Sequence, residues 1–78
     1  MRIYTVLYWD QDPYTREWAM GVKDTPAPVD QVKAANYLVE EVGLGNIEGV
    51  GRFAEVLAIL PGRFSSNMTI LQKKPWAT

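Results

Sequence analysis

The first 23 residues constrain the fold most, because their pattern predicts a β-hairpin. Residues 2–9, RIYTVLYW, are rich in β-branched and aromatic side chains and predict one strand, and residues 16–23, REWAMGVK, predict the second. The intervening DQDPYT has the chemistry of a turn, since Pro13 lacks a backbone N–H and Asp12 can accept bonds from neighbouring N–H groups.

The middle of the chain predicts a helix. Thr25-Pro-Ala-Pro28 is expected to end the second strand, because prolines are disfavoured within sheets and tolerated in the first turn of a helix. Apolar residues recur at spacings of three and four over residues 28–42, which indicates an amphipathic helix, and Gly43 is the expected left-handed residue after it. Residues 43–51, GLGNIEGVG, predict a flexible connection without the glycine patterns that bind nucleotide phosphates.

The C-terminal third is ambiguous. Residues 52–60, RFAEVLAIL, fit either a second helix or a buried strand. We favour the helix, because several of these residues are good helix formers and Pro61-Gly62 is a strong stop signal. Residues 67–73, NMTILQK, predict a last strand with alternating apolar positions.

These elements predict an α+β fold in which a small antiparallel sheet packs on one or two helices. The sheet would combine the β-hairpin with a C-terminal strand, in the order ββααβ, or ββαββ if residues 52–60 form a strand. The length allows a single domain over residues 1–78, with residues 72–78 as a candidate flexible tail. A domain of this size buries only about 60% of its unfolded surface, so self-association is one way to gain stability.

Several chemistries are disfavoured by residue types. The chain has no cysteine and no histidine, which excludes disulfides and the usual zinc ligands and removes the commonest general base and the strongest nucleophile. Asp10-Gln-Asp12 begins like a calcium loop, but Gly21 stands at the position where such a loop needs a glutamate. We therefore expect no enzyme activity, no metal and no cofactor. No apolar run approaches a membrane span and no signal peptide is recognisable, which favours a cytoplasmic protein without a membrane partner.

Both faces of the first strand are apolar, and this is the best clue to function. One face carries Ile3, Leu7 and Trp9 beside Thr5, and the other carries Tyr4, Val6 and Tyr8. A sheet covered on one side should alternate more cleanly, so apolar surface is expected to remain exposed, and exposed apolar surface marks interaction sites. We therefore predict a module that binds another protein, acting as a steric inhibitor or regulator of a larger protein or enzyme.

The candidate contact residues lie around the hairpin loop and in the tail: Trp9, Asp10, Asp12, Tyr14, Arg16, Glu17 and Trp76. Loops carried by a rigid scaffold are common recognition sites, and tyrosine and tryptophan are enriched in interface hot spots. Trp18, within the second strand, is expected to lie in the core. A linked hypothesis is a structural role by self-association, with a homodimer formed through the uncovered sheet face.

Nucleic-acid binding is the alternative from a different class. Residues 1–55 carry a net charge of −4 and residues 56–78 carry +3, so the C-terminal end is basic. In that alternative, aromatic side chains of the sheet would stack on bases while basic residues contact phosphates: Arg52, Arg63, Lys73 and Lys74. The overall charge of −1 and the pI of about 5.2 make this less favourable than a protein partner.

Overall fold

The computed structural model describes residues 1–72, with side chains as far as Met68. In chain order the elements are β1 (Arg2–Gln11), β2 (Trp18–Ala27), α1 (Gln31–Gly43) and β3 (Glu55–Pro61), followed by 3₁₀ turns over Ser65–Gln72 that are kinked at Met68. The three strands form one antiparallel sheet in the order β2-β1-β3, so β1 is central. The predicted α+β class, with a β-hairpin and helical cover, is confirmed.

The hairpin is longer than predicted. β1 and β2 pair without interruption from Arg2 opposite Ala27 to Gln11 opposite Trp18. Pro26 is accommodated because β2 is an outer strand. The Asp12 N–H donates to Glu17 O at 2.8 Å, so the alternation of the ladder makes Ile3–Pro26 a pair without mutual hydrogen bonds. The proline therefore lacks only an N–H that would point away from β1.

The loop chemistry of Asp12 is confirmed. Asp12 Oδ1 accepts from the backbone N–H groups of Tyr14 at 2.8 Å and Thr15 at 3.1 Å. The chain then reverses through Arg16, which has a positive φ of 63° and whose N–H donates to Asp12 O at 2.8 Å. A short side chain that bonds its own backbone thus fixes the turn.

The helix begins and ends with capping groups. Asp30 is the N-cap, and its carboxylate accepts from the Lys33 N–H at 3.0 Å. At the other end, the Gly45 N–H donates to Val42 O and the Asn46 N–H donates to Glu41 O, both at 3.0 Å, which is a Schellman arrangement. Gly45, with φ of 73°, is therefore the left-handed residue, and the prediction that Gly43 has this role was wrong.

The prediction of a helix over residues 52–60 was wrong, and the alternative, a strand, is confirmed. Glu55–Pro61 pairs with the open edge of β1, and a register shift between Leu7 and Tyr8 accommodates one extra residue, Leu57. Because of this bulge, Val56 and Ile59 both pack against the core although they are three residues apart. Their spacing resembles a helical pattern, and the bulge is the reason.

The last strand predicted over residues 67–73 is also wrong as far as the described chain extends. Residues 65–72 form 3₁₀ turns, and Lys73 lies outside the described residues. The Ser65 hydroxyl donates to Asp24 Oδ2 at 2.6 Å and the Ser65 N–H donates to Asp24 Oδ1 at 3.3 Å. These bonds from the Ser65 N–H and hydroxyl hold the segment against the Asp24 side chain of β2, so it does not continue as a paired strand.

The structure decides which face of β1 is buried under the helix. Tyr4, Val6 and Tyr8 pack against the buried helix face, which consists of Ala34, Leu38 and Val42. The Tyr4 hydroxyl lies within hydrogen-bond distance of Pro28 O at 2.9 Å and Val29 O at 2.8 Å, which ties the start of the helix to the central strand. Ile3, Leu7 and Trp9 face the other way and are half-buried.

Thr5 and Asp24 anchor the 3₁₀ segment to the second face of the sheet, which is the face away from α1. Thr5 is fully buried, and its hydroxyl contacts Asp24 Oδ1 at 2.7 Å and Gly62 O at 2.9 Å, while the Phe64 N–H donates to it at 2.7 Å. The Ser65 hydroxyl lowers the pKa of the Asp24 carboxyl below its ordinary value, and Thr5 acts in the same direction. This cluster covers the half of the second face that is remote from the hairpin loop.

The lowered pKa of Asp24 predicts a specific acid sensitivity. Because the folded-state pKa lies below the ordinary 3.8, the carboxylate stabilises the fold above that pH, and this contribution is lost as the pH falls through the folded value. We expect Asp24→Asn to be less stable than the wild type at neutral pH. Between about pH 5 and about pH 2, the free energy of unfolding of this variant should fall by less than that of the wild type. Urea unfolding at several pH values measures this.

Ser65→Ala provides the control for the acid sensitivity. It removes the largest cause of the shift while keeping the carboxyl, so the pH at which stability is lost should rise toward the ordinary value. If Asp24→Asn and the wild type lose the same stability on acidification, the assigned role of Asp24 is wrong.

Candidate functional site

The hairpin end of the second sheet face carries two indole rings, of which Trp18 is exposed and Trp9 is half-buried. Trp9 lies opposite Met20 and Glu55, and Trp18 lies two residues before Met20 on β2, so the register places all of these side chains on the same face. Trp9, Trp18 and Glu55 line a shallow depression of about 350 Å³, which we call the indole surface. The 3₁₀ segment meets this face at Asp24, toward the far end of β2.

Trp18 is the residue that sequence reasoning misplaced. It was expected in the core, but 36% of its surface is exposed. Trp9, predicted at the surface, is half-buried beside it. The missing information was the register, because a loop of several residues permits either face of the second strand to share a side with Trp9. Glu55 was missed because its segment was expected to be helical.

A second concave surface lies on the opposite face of the hairpin. This cleft, of about 360 Å³, is lined mainly by acidic hairpin residues and the loop before β3: Asp10, Asp12, Glu17, Gly51, Arg52 and Phe53. The Gly51 N–H donates to Asp10 Oδ2 at 3.1 Å, and a Cβ on Gly51 would overlap the Asp10 carboxylate. Asp10 therefore has a structural task, since it holds the loop against the sheet.

Asp10 also acts on the neighbouring tyrosine. Burial raises the pKa of the Tyr8 hydroxyl above its ordinary value, and the negative charge of Asp10 raises it further. Tyr8 thus remains neutral through the physiological range, and its hydroxyl contacts Gly49 O at 3.5 Å. The ring and the carboxylate together form the boundary between the core and the cleft.

The predicted contact residues do not form one patch. Trp9 belongs to the indole surface, whereas Asp10, Asp12 and Glu17 line the cleft on the other face. Tyr14 lies at the loop tip and is 93% exposed, and Arg16 lies beside Phe53 in a smaller recess. Trp76 lies outside the described residues. The hairpin therefore presents two different surfaces joined by an exposed tip.

The residues assigned to nucleic-acid binding are also separated. Arg52 precedes β3 and Arg63 follows it, so a seven-residue strand of roughly 20 Å lies between them. Tyr4 and Tyr8 are buried under α1 and cannot stack on bases. Lys73 and Lys74 lie outside the described residues. The two arginines thus form no continuous basic surface with Trp9 and Trp18.

Residues 1–72 contain no group of three or more acidic side chains arranged to hold a metal ion. Within the same residues, no helix has the length and apolar character needed to cross a membrane. The chain matches no protein-family model, no curated protein and no solved structure.

Proposed function

We propose that this chain is a small cytoplasmic protein-binding module that acts by occupying a surface of its partner through the indole surface. The observation that supports the proposal is the pair of indole rings, Trp9 and Trp18, on a half of the sheet face that the 3₁₀ segment leaves accessible. Tryptophan contributes a large apolar area at a low cost in side-chain entropy, and it is enriched in interface hot spots.

The chemistry of the indole surface suggests what the partner presents. Two rings beside one carboxylate suit an apolar side chain next to a lysine or arginine, which would stack on an indole and pair with Glu55. These groups include no nucleophile beside a general base, so binding and steric exclusion are the actions that they support. A regulator that blocks a larger protein or enzyme needs nothing more than such a contact.

Capture from a lysate of the native source, treated with nuclease, tests the proposal. Trp18→Ala should reduce the recovery of a stoichiometric partner by roughly 10- to 100-fold, since a central tryptophan often contributes about 2 kcal/mol or more. Tyr37→Ala is the matched control, because it removes an aromatic ring of similar exposure, 37%, from α1 on the other face of the sheet. Far-ultraviolet circular dichroism of both variants shows that each is folded before the comparison is made.

Two outcomes would contradict this function. A partner retained equally by Trp18→Ala and the wild type would remove the indole surface from the interface. Recovery of nucleic acid without nuclease, and of no protein after nuclease, would favour the nucleic-acid alternative. A purified partner should also shift the tryptophan emission to shorter wavelength on binding, because its contact removes water from the rings.

A further inference from the structure

The indole surface carries one formal charge, and that charge is negative. Glu55 lies opposite Trp9 in the sheet, and together with Trp18 these residues line the depression. The Glu55 carboxylate makes no hydrogen bond or ion pair with the rest of the described chain. A ligand of the indole surface therefore meets two aromatic rings and a carboxylate that lacks a partner in this part of the protein.

A carboxylate beside two apolar rings selects a cationic occupant. An uncharged side chain that covered Trp9 and Trp18 would displace water from Glu55 without replacing its hydrogen bonds, which costs free energy. An anionic group would be repelled by Glu55 and by the negative faces of the rings. A cation is attracted by the same ring faces and also pairs with the carboxylate, so it satisfies both groups at once.

The charges around the hairpin end also favour a basic partner. Residues 1–55 carry a net charge of −4. Arg16 and Arg52 lie near this end, but they line other recesses, and the indole surface is lined by neither of them. A basic segment of a partner is therefore attracted from a distance, and it meets no cationic side chain of the described residues beside the rings.

The arrangement of the three side chains distinguishes arginine from lysine. Trp9 is on the central strand, with Trp18 on the β2 side and Glu55 on the β3 side, so the carboxylate lies beside the rings. A guanidinium group is planar, and it can stack on an indole while the N–H groups at its edge donate to a carboxylate beside the ring. A lysine ammonium is a compact, strongly hydrated charge, and a shallow depression removes little of its water.

We propose that the anchor of the partner protein is an arginine side chain, which stacks on the indole rings and pairs with Glu55. This inference rests on the proposed function, because it names the group that the indole surface receives. The rings supply most of the contact area, and the carboxylate supplies the selectivity. A partner that presents only apolar side chains would bind more weakly, since it would leave Glu55 desolvated and unpaired.

Short peptides that differ in one side chain test the choice of arginine. The acetylated and amidated peptide Gly-Gly-Xaa-Gly-Gly carries arginine, lysine or citrulline at Xaa, and citrulline is the uncharged planar analogue of arginine. The NMR signals of the Trp9 and Trp18 indole N–H groups, assigned with Trp9→Phe and Trp18→Phe, report binding up to about 10 mM peptide. The arginine peptide should bind at least about 3-fold more tightly than the lysine peptide and about 5-fold more tightly than the citrulline peptide.

Two charge-neutralising variants test the role of the carboxylate. Glu55→Gln should weaken binding of the arginine peptide at least about 3-fold and leave the citrulline peptide unchanged, because the amide keeps the shape and removes the charge. Glu48→Gln is the matched control, since it removes the same charge from an exposed residue in the loop after α1 and should change neither affinity. An equal loss in both variants would show a response to net charge alone and would contradict the pairing with Glu55.

The arginine anchor and the protein-binding role can fail separately. Equal binding of the arginine and lysine peptides, or unchanged indole signals at about 10 mM arginine peptide, would overturn the arginine anchor. If Trp18→Ala nevertheless loses the captured partner, the indole surface keeps its proposed function with a different anchor. If the arginine peptide binds as expected but Trp18→Ala retains the partner, the guanidinium site stands and the proposed function is wrong.

Discussion

Replacing Gly21 by valine is expected to destabilise the fold by about 3 kcal/mol, at the upper end of the range for overpacking a core. Gly21 lies directly opposite Tyr8 in the hairpin, and the Tyr8 ring covers it. A Cβ at this position would overlap ring atoms Cε2 and Cζ. The ring cannot move aside freely, because Tyr8 is only 7% exposed and is part of the core beneath α1. Urea unfolding measures the change.

Two further variants separate this clash from a general effect of substitution. Ala19→Val adds bulk to the same face of β2 two residues earlier, where the side chain lines the open cleft, and should change stability by less than about 0.5 kcal/mol. In a Tyr8→Leu background, which removes the overlapping ring atoms, Gly21→Val should cost much less than in the wild type. An equal cost in both backgrounds would show that the Tyr8 ring is not the cause.

The elements that the sequence predicted well are those whose signals are local. Asp12 bonds to N–H groups two and three residues away, and Asp30 caps a helix with Lys33 three residues on. Such contacts can be inferred from neighbouring residues, because their geometry does not depend on the rest of the chain. The hairpin and the helix were predicted for this reason, with errors of a few residues at their ends.

The elements that were mispredicted depend on distant contacts. β3 is a strand because β1 offers an open edge 46 to 57 residues earlier in the chain, and its bulge at Leu57 gives Val56 and Ile59 a helix-like spacing. The C-terminal segment follows the Ser65–Asp24 bonds, which join residues 41 positions apart. A run of apolar residues is compatible with a helix or with a strand, and the strand that offers a pairing edge selects between them.

The candidate site shows the same division between what local residues indicate and what depends on distant contacts. The aromatic and acidic character of the hairpin end was predicted, but its geometry was not. Whether Trp9 and Trp18 lie side by side depends on the register of β1 and β2, and a shift by one residue would have put Trp18 on the face of the cleft. Composition identified the residue types of the surface, and only the pairing of the strands could separate the rings from the carboxylates.

Replacing Thr5 by valine is the second variant with a large expected effect. The substitution preserves the shape but removes a fully buried hydroxyl that contacts Asp24, Gly62 and Phe64. The Phe64 N–H would lose its hydrogen-bond acceptor, and the charged Asp24 carboxylate would lose its hydrogen bond with the Thr5 hydroxyl. We expect a loss of about 3 kcal/mol, since hydrogen bonds to charged groups contribute about 1.5–3 kcal/mol and the lost Phe64 N–H bond adds to this. Thr5→Ser retains the hydroxyl and should cost about 1 kcal/mol for the lost methyl.

The Thr5 variant also has a consequence for binding, because Thr5 and Asp24 hold the 3₁₀ segment on the second face of the sheet. If Thr5→Val releases this segment, Val22 and Leu7 beneath the middle of the face should become more accessible, and the apolar surface should extend beyond Trp9 and Trp18. Limited proteolysis should then cleave near residues 63–68 much faster than in Thr5→Ser. A variant that loses stability without faster cleavage in this segment would show that the hydroxyl stabilises the sheet and does not limit the binding surface.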